Sequence, residues 1–234
     1  MQFLTHINIK YTMSEKYMSL ANNNLHILPN LSSLTCVKFL DLSNNMLREI
    51  NGEHLPPNIT HLKCTNNSIL NIYNLPNKLI NIHFSHNLVK NICNVPESPE
   101  YFIADNNFLY DLPNFSDNLI HLQVSCNRLN KLPKLPKKIK YLSFYRNNIN
   151  KLPELPYGVV IIAGYANNIK NMPYIPPTVF KIIMHQNKLC KNCFGKNDED
   201  TRKKFNIIYK FYRTFNSYKI ANWIYMTIQK NINV

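Results

Sequence analysis

The chain has 234 residues, 45% of them hydrophobic, and a formal net charge of +14 at neutral pH. This composition is enough for a sizeable core, and it excludes a membrane-spanning helix because no apolar run reaches 18 residues. The N-terminus lacks the apolar stretch of a signal peptide and the six cysteines are scattered, so we expect an intracellular, cytoplasmic protein with reduced thiols.

Residues 1–16 are predicted to form an N-terminal cap, because the first turn of a repeat array needs a cover for its open edge. From residue 17 to residue 194 we predict nine repeats, each marked by one asparagine. The steps between these asparagines are 22 residues for the first two and 20 residues for the other six. A fixed period in this range is the signature of a solenoid. The nine are Asn23, Asn45, Asn67, Asn87, Asn107, Asn127, Asn147, Asn167 and Asn187.

The stretch 132–156 shows how one repeat is built. Leu142 and Phe144 are two residues apart, so on a strand both side chains point into the core. Asn147 follows where the chain bends, and its amide can donate and accept hydrogen bonds to buried backbone groups of neighbouring turns. The prolines on the return side fix φ and lack an N–H, which favours an extended backbone over a helix.

The same apolar positions recur along the chain. The strand pairs expected to face the core are Met18/Leu20, Leu40/Leu42, Leu62/Cys64, Ile82/Phe84, Phe102/Ala104, Leu122/Val124, Leu142/Phe144, Ile162/Gly164 and Ile182/Met184. The inward residues of the bend are Leu25, Leu47, Ile69, Val89, Leu109, Leu129, Ile149, Ile169 and Leu189. The return side adds Leu28, Ile50, Ile72, Ile92, Leu112, Leu132, Leu152 and Met172. Nine parallel strands stacked on these positions would span roughly 40 Å.

This frame, L-x-L-x-x-N-x-L, resembles the leucine-rich repeat family. The Leu-Pro-x-Leu-Pro pieces at 132–136 and 152–156 are similar to the short 20-residue repeats of bacterial effector proteins. Predicted repeat proteins of mimivirus-like giant DNA viruses are also similar, and their AT-rich coding suits a chain rich in Asn, Ile, Lys and Tyr. The resemblance implies an α/β-class, right-handed solenoid with a parallel β-sheet on the concave face and an extended, proline-rich convex side. A viral origin would imply the cytoplasm of the host cell.

Residues 195–234 are predicted to form a C-terminal helical cap of two short amphipathic helices. Three acidic residues, 198–200, suit a helix N-terminus, and apolar stripes at helical spacing follow them. A basic, aromatic helix that binds a membrane surface or an acidic partner is the alternative. Some bacterial relatives carry a C-terminal ubiquitin-ligase domain with a catalytic cysteine followed closely by aspartate. Here Cys193 is followed by Phe194, and no such domain is expected.

No catalytic constellation is visible, so we expect a protein that is not an enzyme and has no small-molecule substrate. Asp41 and Asp105 are the acids among the outward strand positions, and they lie three repeats apart. That separation, roughly 14 Å, is too large for a pair of catalytic carboxylates. Cys190 and Cys193 have zinc-ligand spacing, but a structural zinc site needs four ligands and no second pair exists. We therefore expect no metal and no cofactor.

The outward strand positions are aromatic, rich in histidine and nearly neutral, which suits protein recognition. Five of them, together with Arg146 at the border of this face, are the candidate contact residues for a protein partner on the concave face, adjacent across repeats five to eight. The structural alternative is a β-surface filled by good strand formers. The six candidates are Tyr101, His121, Tyr141, Tyr145, Arg146 and Tyr165.

The positive charge is concentrated in residues 128–151, with eight basic and no acidic residues, and in residues 188–234. Such a patch can bind nucleic acid or an anionic lipid membrane, which is the alternative function. A solvated basic surface is the structural interpretation, and a scaffold without a discrete partner is also compatible with the sequence. The patch lies on the return side or its loops and contains Lys131, Lys134, Lys137, Lys138 and Lys140.

Overall fold

The computed structural model describes residues 12–92 and 95–189. Within them the chain forms twelve short strands, and the one helical element is the 3-10 turn Gly52–His54. The strands are β1 (Thr12–Met13), β2 (Tyr17–Ser19), β3 (Phe39–Asp41), β4 (Glu49–Asn51), β5 (His61–Lys63), β6 (Asn71–Tyr73), β7 (Asn81–His83), β8 (Tyr101–Ile103), β9 (His121–Gln123), β10 (Tyr141–Ser143), β11 (Ile161–Ala163) and β12 (Lys181–Ile183).

Ten of the strands form one sheet in the order β1-β2-β3-β5-β7-β8-β9-β10-β11-β12. The nine strands from β2 onwards run parallel, and each residue pairs with its counterpart one repeat away, as Leu142 does with Leu122 and Ile162. β1 pairs antiparallel with β2 at the edge, and β4 and β6 form a separate two-stranded sheet. The described residues therefore form a parallel-strand solenoid of about eight turns, as the repeat predicts.

The predicted inward residues fill one continuous hydrophobic core. Both members of the strand pair in each repeat are buried, and Phe84, Phe102 and Phe144 are the largest side chains that are fully enclosed. The inward residues of the bend and of the return side are also buried in the central repeats. Leu25 and Leu189, at the two ends, are only partly buried against this core. The sequence frame thus predicts the core correctly in the central repeats, whereas Leu25 and Leu189 are less buried than their inward positions predict.

Gly164 takes an inward strand position where other repeats carry larger residues. A Cβ added there would lie 2.1 Å from Cζ of Phe144 and 2.8 Å from Sδ of Met184. These distances are far shorter than van der Waals contact, so the ring of one repeat occupies the space that the next repeat leaves empty. Complementary large and small residues in successive turns keep the core close-packed.

The asparagine at the end of each strand joins neighbouring turns through its side chain. Asn147 is 7% exposed. Its Nδ2 donates to the carbonyl oxygens of Val124, Phe144 and Tyr145 at 3.0, 3.0 and 3.3 Å, and its Oδ1 accepts from the Leu129 N–H at 2.9 Å. Both the previous turn and its own turn are therefore held by one amide, which confirms the role predicted for this position. The asparagines with the same links to the preceding turn are Asn45, Asn67, Asn87, Asn107, Asn127, Asn167 and Asn187.

The residue before each of these asparagines has a left-handed backbone. Arg146 has φ 52°, Cys126 φ 54° and Ala166 φ 54°, although side chains other than glycine pay about 1–2 kcal/mol in this region. The turn is needed to end the strand, and the sequence supplies no glycine for it. The asparagine bonds on either side of the bend hold the residue in this conformation.

Several sequence predictions concern residues outside the described ranges, or properties such as handedness. The C-terminal helical cap, with Cys190 and Cys193, lies outside the described residues, as does most of the N-terminal cap. The α/β class implied by the resemblance is not found in the described part, which is a β-solenoid with almost no helix. Handedness and a concave sheet face stay predictions. No helix in the described residues is long and apolar enough to cross a membrane.

Replacing Asn147 with alanine should lower the free energy of unfolding by about 3 kcal/mol, because several buried backbone groups would lose their partner. Asn148→Ala is the matched control: Asn148 is the next residue, it is exposed, and its removal should change stability by less than about 0.5 kcal/mol. Urea denaturation followed by circular dichroism measures both variants. Equal midpoints for the two would contradict the role assigned to Asn147.

Candidate functional site

The outer face of the sheet is the surface opposite the core. Three lines of side chains cross it from repeat to repeat, because neighbouring strands are in register. The first row is the first residue of each strand, the middle row is the third residue, and the third row lies two residues after the strand. From β8 to β12 these rows contain all four tyrosines predicted to contact a partner.

In the first row, three aromatic rings follow one another across β8, β9 and β10. The ring centroids of Tyr101 and His121 are 6.0 Å apart, and those of His121 and Tyr141 are 5.6 Å apart. The two tyrosines are half-buried, whereas His121 is 2% exposed. The alternation of side chains along the strand predicts that His121 points outward, but it cannot predict that neighbouring residues cover the ring. His121 is therefore more buried than expected for a residue that contacts a partner.

In the third row, two tyrosines and a histidine are stacked. Tyr145 and Tyr165 have centroids 4.5 Å apart with nearly parallel planes, and Tyr165 and His185 are 4.6 Å apart. This separation matches the spacing of adjacent strands, about 4.8 Å, so register alone places the rings face to face. Tyr165 is 8% exposed, whereas Arg146 beside the stack is exposed. The six predicted residues thus form two groups on either side of the middle row.

A chain of polar groups that the sequence analysis missed lies beneath these rings. The amide of Gln123 donates through Nε2 to Oδ2 of Asp105, and the Ser125 N–H donates to Oδ1 at 2.6 Å. The other end of the Gln123 amide, Oε1, lies 3.2 Å from Nε2 of His121. Since Oε1 can only accept, Nε2 of His121 carries the proton. Nδ1 of His121 is buried without a partner in the described residues.

Several titratable groups on this face have shifted pKa values, chiefly because they are buried. Burial raises the pKa of the Asp105 carboxyl to about 6, against the opposing hydrogen bonds from Gln123 and Ser125. Burial lowers the pKa of His121, and burial with the nearby charge of Lys63 lowers the pKa of His83 to about 4. The sequence signal for this polar chain was the acid Asp105 within a row of serines and tyrosines. Its partner Gln123 could not be identified without the pairing register of the neighbouring strands.

The two acids among the outward strand positions are both held by neighbouring side chains or backbone groups. Asp41 forms an ion pair with Lys63 at 3.3 Å, and Asp105 has both carboxylate oxygens occupied by hydrogen bonds. In residues 12–92 and 95–189, no three His, Cys, Asp or Glu side chains converge so that they could hold a metal ion. What the face offers is aromatic surface, hydroxyl groups and one exposed guanidinium, which suit non-covalent recognition.

The predicted basic patch is partly neutralised by the preceding repeat. Lys131 lies 3.6 Å from Asp111 and Lys137 lies 3.5 Å from Asp117, and Nζ of Lys138 donates to Asn118 at 3.3 Å. A charge count along residues 128–151 does not include these acids, since each stands 20 residues before its lysine. Such exposed pairs contribute little to stability, but they reduce the local positive potential. Lys134 and Lys140 form no ion pair in the described part of the chain.

The fold is similar to solved structures of bacterial leucine-rich effector proteins. YopM from Yersinia enterocolitica WA-314 has a TM-score of 0.58 and 26% identity over 72% of this chain. YopM from Yersinia pestis, described as a leucine-rich effector protein, has a TM-score of 0.55 and 24% identity over 72% of this chain. The leucine-rich repeat domain of a Shigella effector has a TM-score of 0.51 and 24% identity over 82% of this chain.

These matches support the predicted likeness to short-repeat effector proteins. The chain spans 41% and 60% of the lengths of the two YopM proteins, and 75% of the Shigella domain. No protein-family model and no curated protein matches the sequence. The predicted likeness to giant-virus proteins stays a prediction.

Asp105→Asn should change how stability depends on pH. Because the folded-state pKa of Asp105 is raised to about 6, its contribution to stability is present in acid and is lost as the pH rises from about 4 through 6. The variant lacks this loss, so its stability relative to the wild type should increase by up to about 3 kcal/mol between pH 4 and pH 7.

The comparison must be between variant and wild type, because the lowered pKa of His83 produces the opposite trend in the same pH window. Urea denaturation at several pH values measures the difference. A stability difference that stays constant from pH 4 to pH 7 would show that folding does not raise the pKa of Asp105.

Proposed function

We propose that this chain, a solenoid of 20-residue leucine-rich repeats like those of YopM, is a non-enzymatic module that binds a partner protein. The binding surface is the outer face of β8 to β11, the concave side of the right-handed solenoid that the repeat family implies. The observation that carries the proposal is the pair of aromatic rows, which crosses several repeats without contributing to the main core. Leucine-rich repeat proteins generally bind protein partners, and the likeness to effector repeat domains supports the same use here.

The arrangement suits a protein surface because it combines rigid aromatic area with polar groups. Tyrosine offers a large contact area at low entropic cost, and the in-register stack of Tyr145 and Tyr165 is ordered before any partner arrives. The middle row between the two aromatic rows has small side chains at Ser143 and Ala163. Preordered aromatic anchors are typical of binding hot spots.

Electrostatic binding of nucleic acid or anionic lipid through the lysines is not favoured by any described contact. Lys131 and Lys137 already have carboxylate partners, and the patch does not coincide with the aromatic rows. Stacking of bases on tyrosine, which single-stranded nucleic acid binding needs beside positive charge, would require both features on one face.

Replacing both Tyr101 and Tyr141 with alanine should reduce capture of a partner at least tenfold, because each anchor is worth about 1–2 kcal/mol. Biotinylated full chain is used to capture proteins from cells in which the protein is naturally made, and a captured protein is then purified and titrated. Tyr110→Ala is the matched control, since Tyr110 is 43% exposed but lies outside the three rows.

The thermal transition of each variant should stay close to that of the wild type, which separates lost contact from lost folding. A partner whose affinity is unchanged by the double substitution would remove this face from consideration. A partner lost instead on substitution of Lys134 and Lys140 would assign binding to the basic side.

A further inference from the structure

We propose that the partner segment is acidic, and that Arg146 binds an aspartate or glutamate carboxylate of that segment beside the stacked rings of Tyr145 and Tyr165. This inference rests on the proposed function, because it specifies what the same face recognises.

The accessible charge on the three rows from β8 to β12 is positive. The ionisable carboxylate within them is Asp105, which is 6% exposed and hydrogen-bonded at both oxygens. It therefore cannot serve as a partner for an incoming cation. The exposed cation is Arg146, which directly follows the third-row residue Tyr145. A basic partner segment would meet like charge here, whereas an acidic one is attracted.

Arg146, unlike several lysines of the solenoid, has no carboxylate partner among the described residues. Lys63, Lys131 and Lys137 each form an ion pair with an aspartate one repeat away. Among residues 12–92 and 95–189, no carboxylate lies within ion-pair distance of Arg146. Its side chain is exposed although its backbone is fixed at φ 52°. The positive charge of Arg146 and its hydrogen bond with the Cys126 thiol oppose the burial that raises the pKa of that thiol. The exposed guanidinium has further N–H donors for a carboxylate.

The guanidinium has two phenol hydroxyls in its neighbourhood. Burial raises the pKa of the Tyr165 hydroxyl to about 12, and the positive charge of Arg146 opposes this shift. Burial also raises the pKa of the Tyr145 hydroxyl, again against the effect of Arg146. Both groups are therefore protonated donors at neutral pH. Neither hydroxyl has a hydrogen-bond partner within the described ranges.

These groups together favour an anion over a neutral ligand. The guanidinium has only N–H donors, and the two protonated hydroxyls can donate as well. A carboxylate is an acceptor with two oxygens and matches the planar fork in bidentate geometry. The apolar part of the same segment can lie on the rings of Tyr141 and Tyr145, about 13 Å apart along the strand direction. Acidic segments recognised through arginine are an established mode of peptide binding.

The test is a selection of short random linear peptides, displayed on phage, against the immobilised full chain. We expect the wild type to enrich peptides that contain aspartate or glutamate next to an apolar or aromatic residue. A synthetic peptide from this set should bind Arg146→Gln about tenfold more weakly. Arg146→Glu should reverse the selection, so that lysine and arginine replace the acidic residues.

Lys140→Gln is the matched control, because Lys140 carries the same charge in the same repeat, is exposed, and lies before the strand, outside the three rows. It should leave both the selected set and the affinity unchanged. Enriched peptides that depend on Tyr101 and Tyr141 but show no acidic preference would overturn this inference and leave the proposed function standing. Failure to enrich any peptide dependent on these tyrosines would overturn both. Preference of Arg146 for a phosphorylated form over the matching aspartate peptide would replace the carboxylate with a phosphate.

Discussion

The structure depends on the satisfaction of buried backbone groups between one turn and the next. A solenoid of short strands exposes N–H and C=O groups at every bend, and burying them unpaired would cost about 1–3 kcal/mol each. One asparagine amide per turn meets this need in both directions, since Oδ1 accepts from the preceding turn while Nδ2 donates to carbonyls of two turns. Asn107 shows the same set of bonds as Asn147, two repeats away. The period of the sequence is the period of this interaction.

The strand pairs, the bend residues and the asparagines fill or close the main core, so the exposed positions of the outer face are less constrained by the fold. Some outer-row residues, such as Asp105 and Tyr165, are themselves buried. In repeats five to nine the outer face carries the tyrosines, the buried hydrogen-bond network of Asp105, and Arg146. Because register aligns each row, residues distant in sequence become a continuous surface. The stack of Tyr145, Tyr165 and His185 arises in this way.

Much of the fold could be predicted from the sequence because the period of the repeat determines which residues of successive turns are neighbours. The positions of the strands, of the inward pairs and of the asparagine in each repeat follow from spacing alone. Leu142 and Asn147 behave as their spacing predicts. Features that depend on contacts between repeats could not be predicted in this way. The left-handed bend at Ala166 has no glycine to mark it, and the ion pair of Lys137 with Asp117 joins residues 20 positions apart. For the candidate site, the sequence identified the tyrosines but not the polar chain in which Gln123 contacts both His121 and Asp105.

The central claim is that side-chain amides hold the turns together, and hydrogen exchange of single backbone amides tests it directly. The N–H of Ile149 donates to Oδ1 of Asn167 at 3.0 Å and belongs to no strand ladder. The account predicts that this amide exchanges as slowly as the strand amide of Leu142 and opens with the same free energy. Exchange of Ile149 at the rate of an exposed loop, while Leu142 remains protected, would contradict it.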